Sequence, residues 1–144
     1  MANSDMSTNE SGVSIQIKGL DEFQVKLKTI EHKAPDRILD KLDAEGKELK
    51  KAVQKNTPKR TGKLKKSWKL APVEKTQGGY QKGLYSKDPK FPLVEKGHRK
   101  VTQSGKEIGW TPGKFFLEKT VKEREEETAE ELDKWLDELF KELK

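Results

Sequence analysis

The sequence predicts an α+β fold, in which a small antiparallel sheet of three to four strands packs with two N-terminal helices and a long C-terminal helix. Three features lead to this prediction. Apolar and polar side chains alternate at residues 13–18, which is typical of a half-buried strand. The turn sequence Gln77-Gly78-Gly79 separates two further strand-like segments. Apolar residues three and four positions apart recur in three longer segments, and this spacing predicts helices.

Length and composition predict one domain with a modest core. The 144 residues suit a single domain. Hydrophobic residues make up 31% of the chain and charged residues 39%, whereas apolar residues, glycine included, usually account for about 45–50%. We therefore expect surfaces that stay solvated or that partners cover. The polar residues 1–12 are predicted to be a disordered lead, and residues 13–144 to form the single domain.

The N-terminal half is predicted to contain one strand and two helices. The strand at residues 13–18 is followed by a helix that ends in the break at residues 33–35. The second helix runs from Asp36 to Asn56, and Gly46 weakens its middle. Each helix has a one-sided apolar stripe, which comprises Leu20, Phe23, Leu27 and Ile30 in the first, and Ile38, Leu42, Leu49 and Val53 in the second.

The C-terminal half is predicted to contain a hairpin, a loop and the long helix. The hairpin occupies residues 67–85, and a third short strand is expected at Phe91–Val94. Residues 97–109 have few apolar side chains and are expected to form an exposed loop. An acidic helix begins near Lys114 and would span about 40 Å. Because that length exceeds the width of a small domain, part of it is expected to project, bend or pack on the body or a neighbour.

Charge is distributed unevenly along the chain. The formal net charge is +6, yet residues 116–144 contain 11 acidic and 6 basic side chains. Residues 47–69 contain 10 Lys or Arg and a single acid, Glu48. A basic body with an acidic last helix suits attraction to DNA or head-to-tail docking between copies of the chain. Charge alone leaves both interpretations open.

The patterns expected of enzymes and metal sites are missing from the sequence or incomplete in it. The chain has no cysteine, so disulfides and thiolate metal sites are excluded. The segment around Gly62 lacks the first glycine and the final Ser or Thr of a phosphate-binding loop. Glu95 and His98 have a spacing known from metal sites, but His32 is the only other histidine. We therefore expect no enzymatic activity, no metal and no cofactor.

The sequence shows no sign of a membrane or export segment. No apolar run approaches the roughly 20 residues of a membrane helix. The polar, acidic N-terminus resembles neither a signal peptide nor a transit peptide. We expect synthesis in the cytoplasm and no membrane partner.

The basic stretch TPKRTGKLKKSW at residues 57–68 has two interpretations. It is either a solvated face or a surface that contacts phosphates. No helix-turn-helix, zinc-finger or RNA-stacking signature accompanies it, which argues against sequence-specific recognition. Trp68 opens an alternating segment, so a core position is favoured over a base-stacking role.

Three short motifs occur in order along the chain. The first follows the second helix, the second follows the hairpin and the third opens the last helix. Together they resemble the tail-completion and head–tail joining proteins of long-tailed bacteriophages, over about residues 13–128. The motif residues are Pro58, Thr61, Gly62, Leu64 and Ser67, with Trp68 directly after them; then Leu93, Val94, Glu95, Gly97 and His98; then Pro112, Gly113, Phe116 and Leu117.

The resemblance implies a structural virion protein of the phage neck. Such proteins complete the end of the tail tube and join it to the head connector, usually as homo-oligomeric rings through which DNA passes. The motif residues are implied to be structural. The residues predicted to contact DNA in the lumen or a neighbouring subunit are Lys59, Arg60, Lys63, Lys65, Lys66, His98, Arg99 and Lys100.

Two other functions are compatible with the sequence. The first is a small non-specific DNA-binding module that uses residues 47–69, which predicts tight binding with a steep salt dependence. The second, weaker alternative is an inhibitor or regulator whose acidic helix acts as a mimic.

Overall fold

The computed structural model describes residues 3–8, 11–18, 21–59, 62–77 and 79–143. Within these ranges the chain forms seven strands and five helices, which confirms the α+β prediction. In chain order these are β1 (Asn3–Thr8), β2 (Gly12–Lys18), α1 (Asp21–Lys33), α2 (Pro35–Asn56), α3 (Lys63–Lys66), β3 (Trp68–Leu70), β4 (Glu74–Thr76), β5 (Gly79–Ser86), α4 (Phe91–Lys96), β6 (Gly97–Val101), β7 (Glu107–Pro112) and α5 (Phe116–Leu143).

The main sheet is antiparallel and is organised around β5. The strand order is β1-β2-β5-β3, and β4 continues along the same edge of β5 as β3. On the core face, Val13 lies opposite Leu84 and Ile17 opposite Tyr80. All four of these side chains are buried. The alternation at residues 13–18 therefore arises because one face of β2 is covered and the other is partly exposed to water.

Helices α1, α2 and α5 cover that core face. The predicted stripe of α2 is fully buried, as are Leu27 and Ile30 of α1. Of the remaining stripe positions, Leu20 and the side chain of Phe23 lie outside the described part of the chain. Burial of the α2 stripe on the sheet confirms the helical spacing seen in the sequence.

Gly46 accommodates a buried lysine from the sheet. Lys82 lies on the core face of β5 and reaches under α2, where its Nζ is 2.7 Å from Asp43 Oδ1 and 2.7 Å from the Ala71 carbonyl oxygen. A Cβ on Gly46 would stand 2.8 Å from Lys82 Cε. Gly46 lowers the helix propensity of α2, but it leaves space for the buried Lys82 side chain, whose charge is paired with Asp43.

Helix α5 packs along its whole length on the same chain. Its buried positions extend from Phe116 to Leu139 and include Thr128 in the acidic middle. Near its end, Asp137 pairs with Lys26 of α1 at 2.6 Å, and Lys33 donates to the Leu143 carbonyl oxygen. Of the expected outcomes, packing on the body is therefore the one observed. A long narrow stripe suffices to hold this helix against β1, α1 and α2.

Three local expectations are wrong. The predicted disordered lead contains β1, which pairs with β2 and buries Met6 opposite Ile15. The predicted strand at 91–94 is helix α4, because Phe91 and Glu95 are both buried and lie one helical turn apart. The predicted loop at 97–109 is mostly the β6–β7 hairpin, a separate two-stranded sheet. Its side chains are largely exposed, so it lacks the apolar alternation by which strands are recognised.

None of the helices in the described ranges combines the length and apolar character needed to cross a membrane.

Candidate functional site

The three sequence motifs meet around one aromatic cluster. Trp68 is completely buried, and its ring lies edge-on to Phe91 and Phe116 at centroid distances of 5.0 and 6.2 Å. Phe91 and Phe116 are in turn 5.9 Å apart. These edge-to-face contacts are the favoured geometry for aromatic rings. The cluster joins the first motif to α4 and to the start of α5, although the three segments are far apart in sequence.

The first motif is anchored at both of its ends. The indole N–H of Trp68 donates to Thr57 Oγ1 at 3.1 Å, and the Thr57 hydroxyl donates to the Val53 carbonyl oxygen. Ser67 Oγ lies 2.6 Å from Ser86 Oγ at the end of β5. Between them, Gly62 has a φ of 74°, a left-handed conformation that favours glycine. The described residues at the two ends of this stretch are thus held to α2 and to the sheet.

Glu95 of the second motif caps helix α5. Its side chain is 3% exposed. One carboxylate oxygen accepts from the Leu117 N–H at 3.1 Å, and the other accepts from the Glu118 N–H at 2.9 Å. A carboxylate at a helix N-terminus satisfies unpaired N–H groups and opposes the positive end of the helix dipole. The second motif therefore fixes where the last helix begins.

The second and third motifs also touch through their backbones. Lys114 N–H donates to the Val94 carbonyl oxygen, and Phe115 N–H donates to the Glu95 carbonyl oxygen. Gly97 has a φ of 91°, and a Cβ there would stand 2.6 Å from the Thr111 carbonyl oxygen. A Cβ on Gly113 would stand 2.4 Å from the Glu95 carbonyl oxygen. Both glycines allow a close backbone approach that a side chain would block.

A groove of about 620 Å³ lies beside this junction. Residues from all three motifs line this groove together. Among them, Leu93 is exposed and His98 is half-buried. The lining residues are Pro58, Leu64, Asp88, Lys90, Leu93, Val94, His98, Thr111, Pro112 and Lys114.

The candidate basic contacts are mostly on the surface. Lys59, Lys63 and Lys66 are exposed, and Lys65 is half-buried. Arg60 and the motif residue Thr61 lie outside the described residues. On the hairpin, Arg99 and Lys100 are exposed. The site thus has a buried aromatic interior and two exposed basic segments, one on the first motif and one on β6.

A second groove, of about 660 Å³, lies between α1 and the sheet. Burial, together with the charge of Glu31 and a hydrogen bond to it, raises the pKa of Tyr80 to about 12. The Lys75 ammonium, which is hydrogen-bonded to Glu31, lowers the pKa of that carboxyl group. Among the residues that the structure describes, no group of three or more His, Asp or Glu side chains is placed to hold a metal ion.

Sequence reasoning missed the apolar residues of the hairpin and the capping role of Glu95. Val101, Ile108 and Trp110 are exposed on β6 and β7. A β-bulge between Lys100 and Val101 breaks the regular pairing, so no simple alternation marks these strands. The Glu-to-helix contact spans more than twenty residues, and only the folded chain brings its partners together.

Comparison with known proteins gives one family. A family model described as “Bacteriophage HK97-gp10, putative tail-component” matches residues 21–97, which is more than half of the chain. The match runs from α1 through the first and second motifs to Gly97. No curated protein and no solved structure matches the chain.

Proposed function

The chain belongs to the HK97-gp10-like family of bacteriophage tail components, and on that premise we propose that it is a neck protein of the virion. In this role it completes the end of the tail tube and joins it to the head connector. It acts as one subunit of a ring through which DNA passes, after assembly in the host cytoplasm. Its work is structural, so it needs no catalytic residue or cofactor, and its partners are virion proteins.

One observation carries this proposal: opposite charges lie on separate surfaces of the same chain. Six glutamates in the middle of α5 are exposed, and none makes an ion pair with any residue in the described ranges. Exposed lysines and arginines lie on the first motif and on β6. A contact between two different surfaces is heterologous, and such contacts close into rings when the rotation between copies allows it.

The first experiment is native mass spectrometry of the purified protein across a salt series. We expect a discrete ring at low salt, with the assembled fraction falling as salt screens the charges. A monomer at every salt concentration, combined with no assembly on purified tail tubes, would contradict the ring proposal.

The second candidate is a non-specific DNA-binding module, which the exposure of Lys59, Lys63 and Lys66 favours. It predicts strong binding of duplex DNA by the isolated protein, with each lost phosphate contact reducing the salt slope by about one unit. DNA retention should then disappear when the five basic residues of the first motif are replaced by alanine, namely Lys59, Arg60, Lys63, Lys65 and Lys66. The neck proposal predicts instead that the isolated protein binds DNA weakly and without sequence preference. Loss of ring assembly in the same variant would assign those residues to a subunit contact.

A further inference from the structure

The β6–β7 hairpin combines exposed apolar side chains with exposed cations. Val101, Ile108 and Trp110 are 58%, 62% and 55% exposed. Arg99 lies directly opposite Trp110 in the strand pairing, so the two side chains share one face. We call Arg99, Val101, Ile108 and Trp110 the hairpin surface. Lys100 pairs with Gly109 and points to the other face of the ribbon, whereas Glu107, opposite Val101, adds an exposed carboxylate at the end of the hairpin surface.

The hairpin surface has no charge partner within the described part of the chain. Neither Arg99 nor Lys100 makes an ion pair there. An isolated two-stranded ribbon is marginally stable, and exposed strand edges are open to association. A tryptophan more than half exposed beside two aliphatic side chains is typical of an interaction surface.

The outer face of α5 has the complementary character. Its six exposed, unpaired glutamates are Glu123, Glu125, Glu126, Glu127, Glu130 and Glu131. Several of them lie four residues apart, a spacing at which like charges repel within a helix. Ala129 lies between Glu127 and Glu130 in the sequence and is half-buried. We call these six residues and Ala129 the acidic face.

We propose that the hairpin surface of one copy docks on the acidic face of the next copy. Arg99 pairs with the glutamates and relieves part of their mutual repulsion. Trp110, Val101 and Ile108 pack over Ala129 and the aliphatic stems of the glutamate side chains. This inference rests on the proposed ring and identifies the surfaces that form its subunit contact.

A second copy fits the hairpin surface better than DNA does. Phosphate contact requires cations, whereas three of the four residues of this surface are apolar. The same chain also carries an unpaired anionic surface, and charge complementarity between surfaces favours their association. DNA binding by the hairpin remains a distinct outcome of the experiment below.

The experiment exchanges the charges of the two surfaces. The hairpin variant carries Arg99→Glu, and the helix variant carries Glu126→Lys and Glu130→Lys. We expect each variant alone to stay monomeric under conditions in which the wild type assembles. An equimolar mixture should assemble again with both variants in equal numbers, because each interface then joins opposite charges. Lys28→Glu with Lys87→Glu, at two exposed positions outside residues 47–69 and outside both proposed surfaces, is the charge-reversal control, and it should assemble like the wild type.

Carbodiimide cross-linking provides a readout that does not require a stable ring. The Arg99→Lys variant, which places an amine on the hairpin surface, should give a cross-link between position 99 of one copy and Glu126 or Glu130 of another, identified by mixing isotope-labelled and unlabelled protein. Normal assembly by both single variants would overturn the inference and leave the proposed function standing. The absence of both the ring and the cross-link would overturn both proposals. Loss of DNA retention by the hairpin variant, with no cross-link in the Arg99→Lys variant, would reassign the hairpin surface to DNA.

Discussion

At the scale of single residues, Glu95 links two segments that are separate in sequence. Its carboxylate accepts two backbone N–H groups of α5 and is almost completely buried. Replacing it with alanine leaves both donors unsatisfied, so we expect the free energy of unfolding to fall by about 2 kcal/mol. Urea denaturation measures this loss.

Two further variants calibrate the Glu95 prediction. Glu95→Gln keeps one acceptor oxygen but turns an amide N–H₂ toward a donor, so its cost should lie between those of the wild type and the alanine variant. Glu123→Ala removes an exposed glutamate of the same helix and should change stability by no more than about 0.5 kcal/mol. Equal effects of Glu95→Ala and Glu123→Ala would refute the capping role.

Tyr80 provides a test of local electrostatics through pH. Its pKa is raised from 10.0 to about 12, chiefly by burial and then by Glu31. The folded state therefore holds the phenolic proton more tightly than the unfolded state. This contribution to stability is fully present below pH 10 and is lost as pH rises from 10 toward 12.

The tyrosinate absorbance of a Tyr85→Phe variant reports Tyr80 alone, because the chain has two tyrosines. Adding Glu31→Gln removes the neighbouring negative charge and should lower the pKa of Tyr80, while burial keeps it above its usual value. An unchanged midpoint in that variant would show that Glu31 has no influence on Tyr80.

At the scale of elements, the junction between the hairpin and α5 depends on close backbone packing. Alanine at position 97 would have to adopt a left-handed φ that disfavours side chains. Its methyl group would also clash with the backbone of β7. Gly105, in the hairpin turn, has a similar φ of 88° but open space around its Cα among the described residues. We expect Gly97→Ala to cost about 3 kcal/mol or more, and Gly105→Ala about 1 kcal/mol.

Chemical denaturation of the two alanine variants separates the conformational and steric contributions. Gly113→Ala is an independent check, because it introduces a clash with the Glu95 carbonyl oxygen. It should resemble Gly97→Ala more closely than Gly105→Ala. If all three variants unfolded together with the wild type, the tight junction described for the second and third motifs would be refuted.

At the scale of the whole molecule, stability and assembly should be separable. The double variant Glu126→Gln and Glu127→Gln removes like-charge pairs from the outer face of α5 without touching its buried stripe. We expect the free energy of unfolding of the monomer to change by no more than about 0.5 kcal/mol. The assembled fraction should nevertheless fall, because the hairpin surface loses its charge partners.

Denaturation and native mass spectrometry of the same preparation give the two quantities. A variant that loses stability and assembly in parallel would indicate that the acidic face supports the fold of one subunit. Retained stability with reduced assembly is the result that the proposed ring requires.

The sequence by itself determined the elements whose apolar residues repeat at a regular spacing. It also identified one buried side chain, that of Trp68. The stripe of α2, the alternation of β2 and the length of α5 depend on which side chains repeat at 3.6 or 2 residues, and this information is local. Trp68 was assigned to the core because it opens an alternating segment. The order of three short motifs also predicted a phage tail family, which the match over residues 21–97 confirms.

Only the tertiary structure decided the features that depend on contacts between residues distant in sequence. Met6 is buried on β1, which pairs with β2 and contacts α5. Gly46 makes room for Lys82, and Glu95 caps a helix that starts more than twenty residues later. The β6–β7 hairpin shows no regular apolar alternation in the sequence, because its apolar side chains are exposed and a bulge interrupts the pairing of its strands. Such features depend on which distant groups the fold brings within a few ångströms of each other, and residue spacing along the chain does not encode those distances.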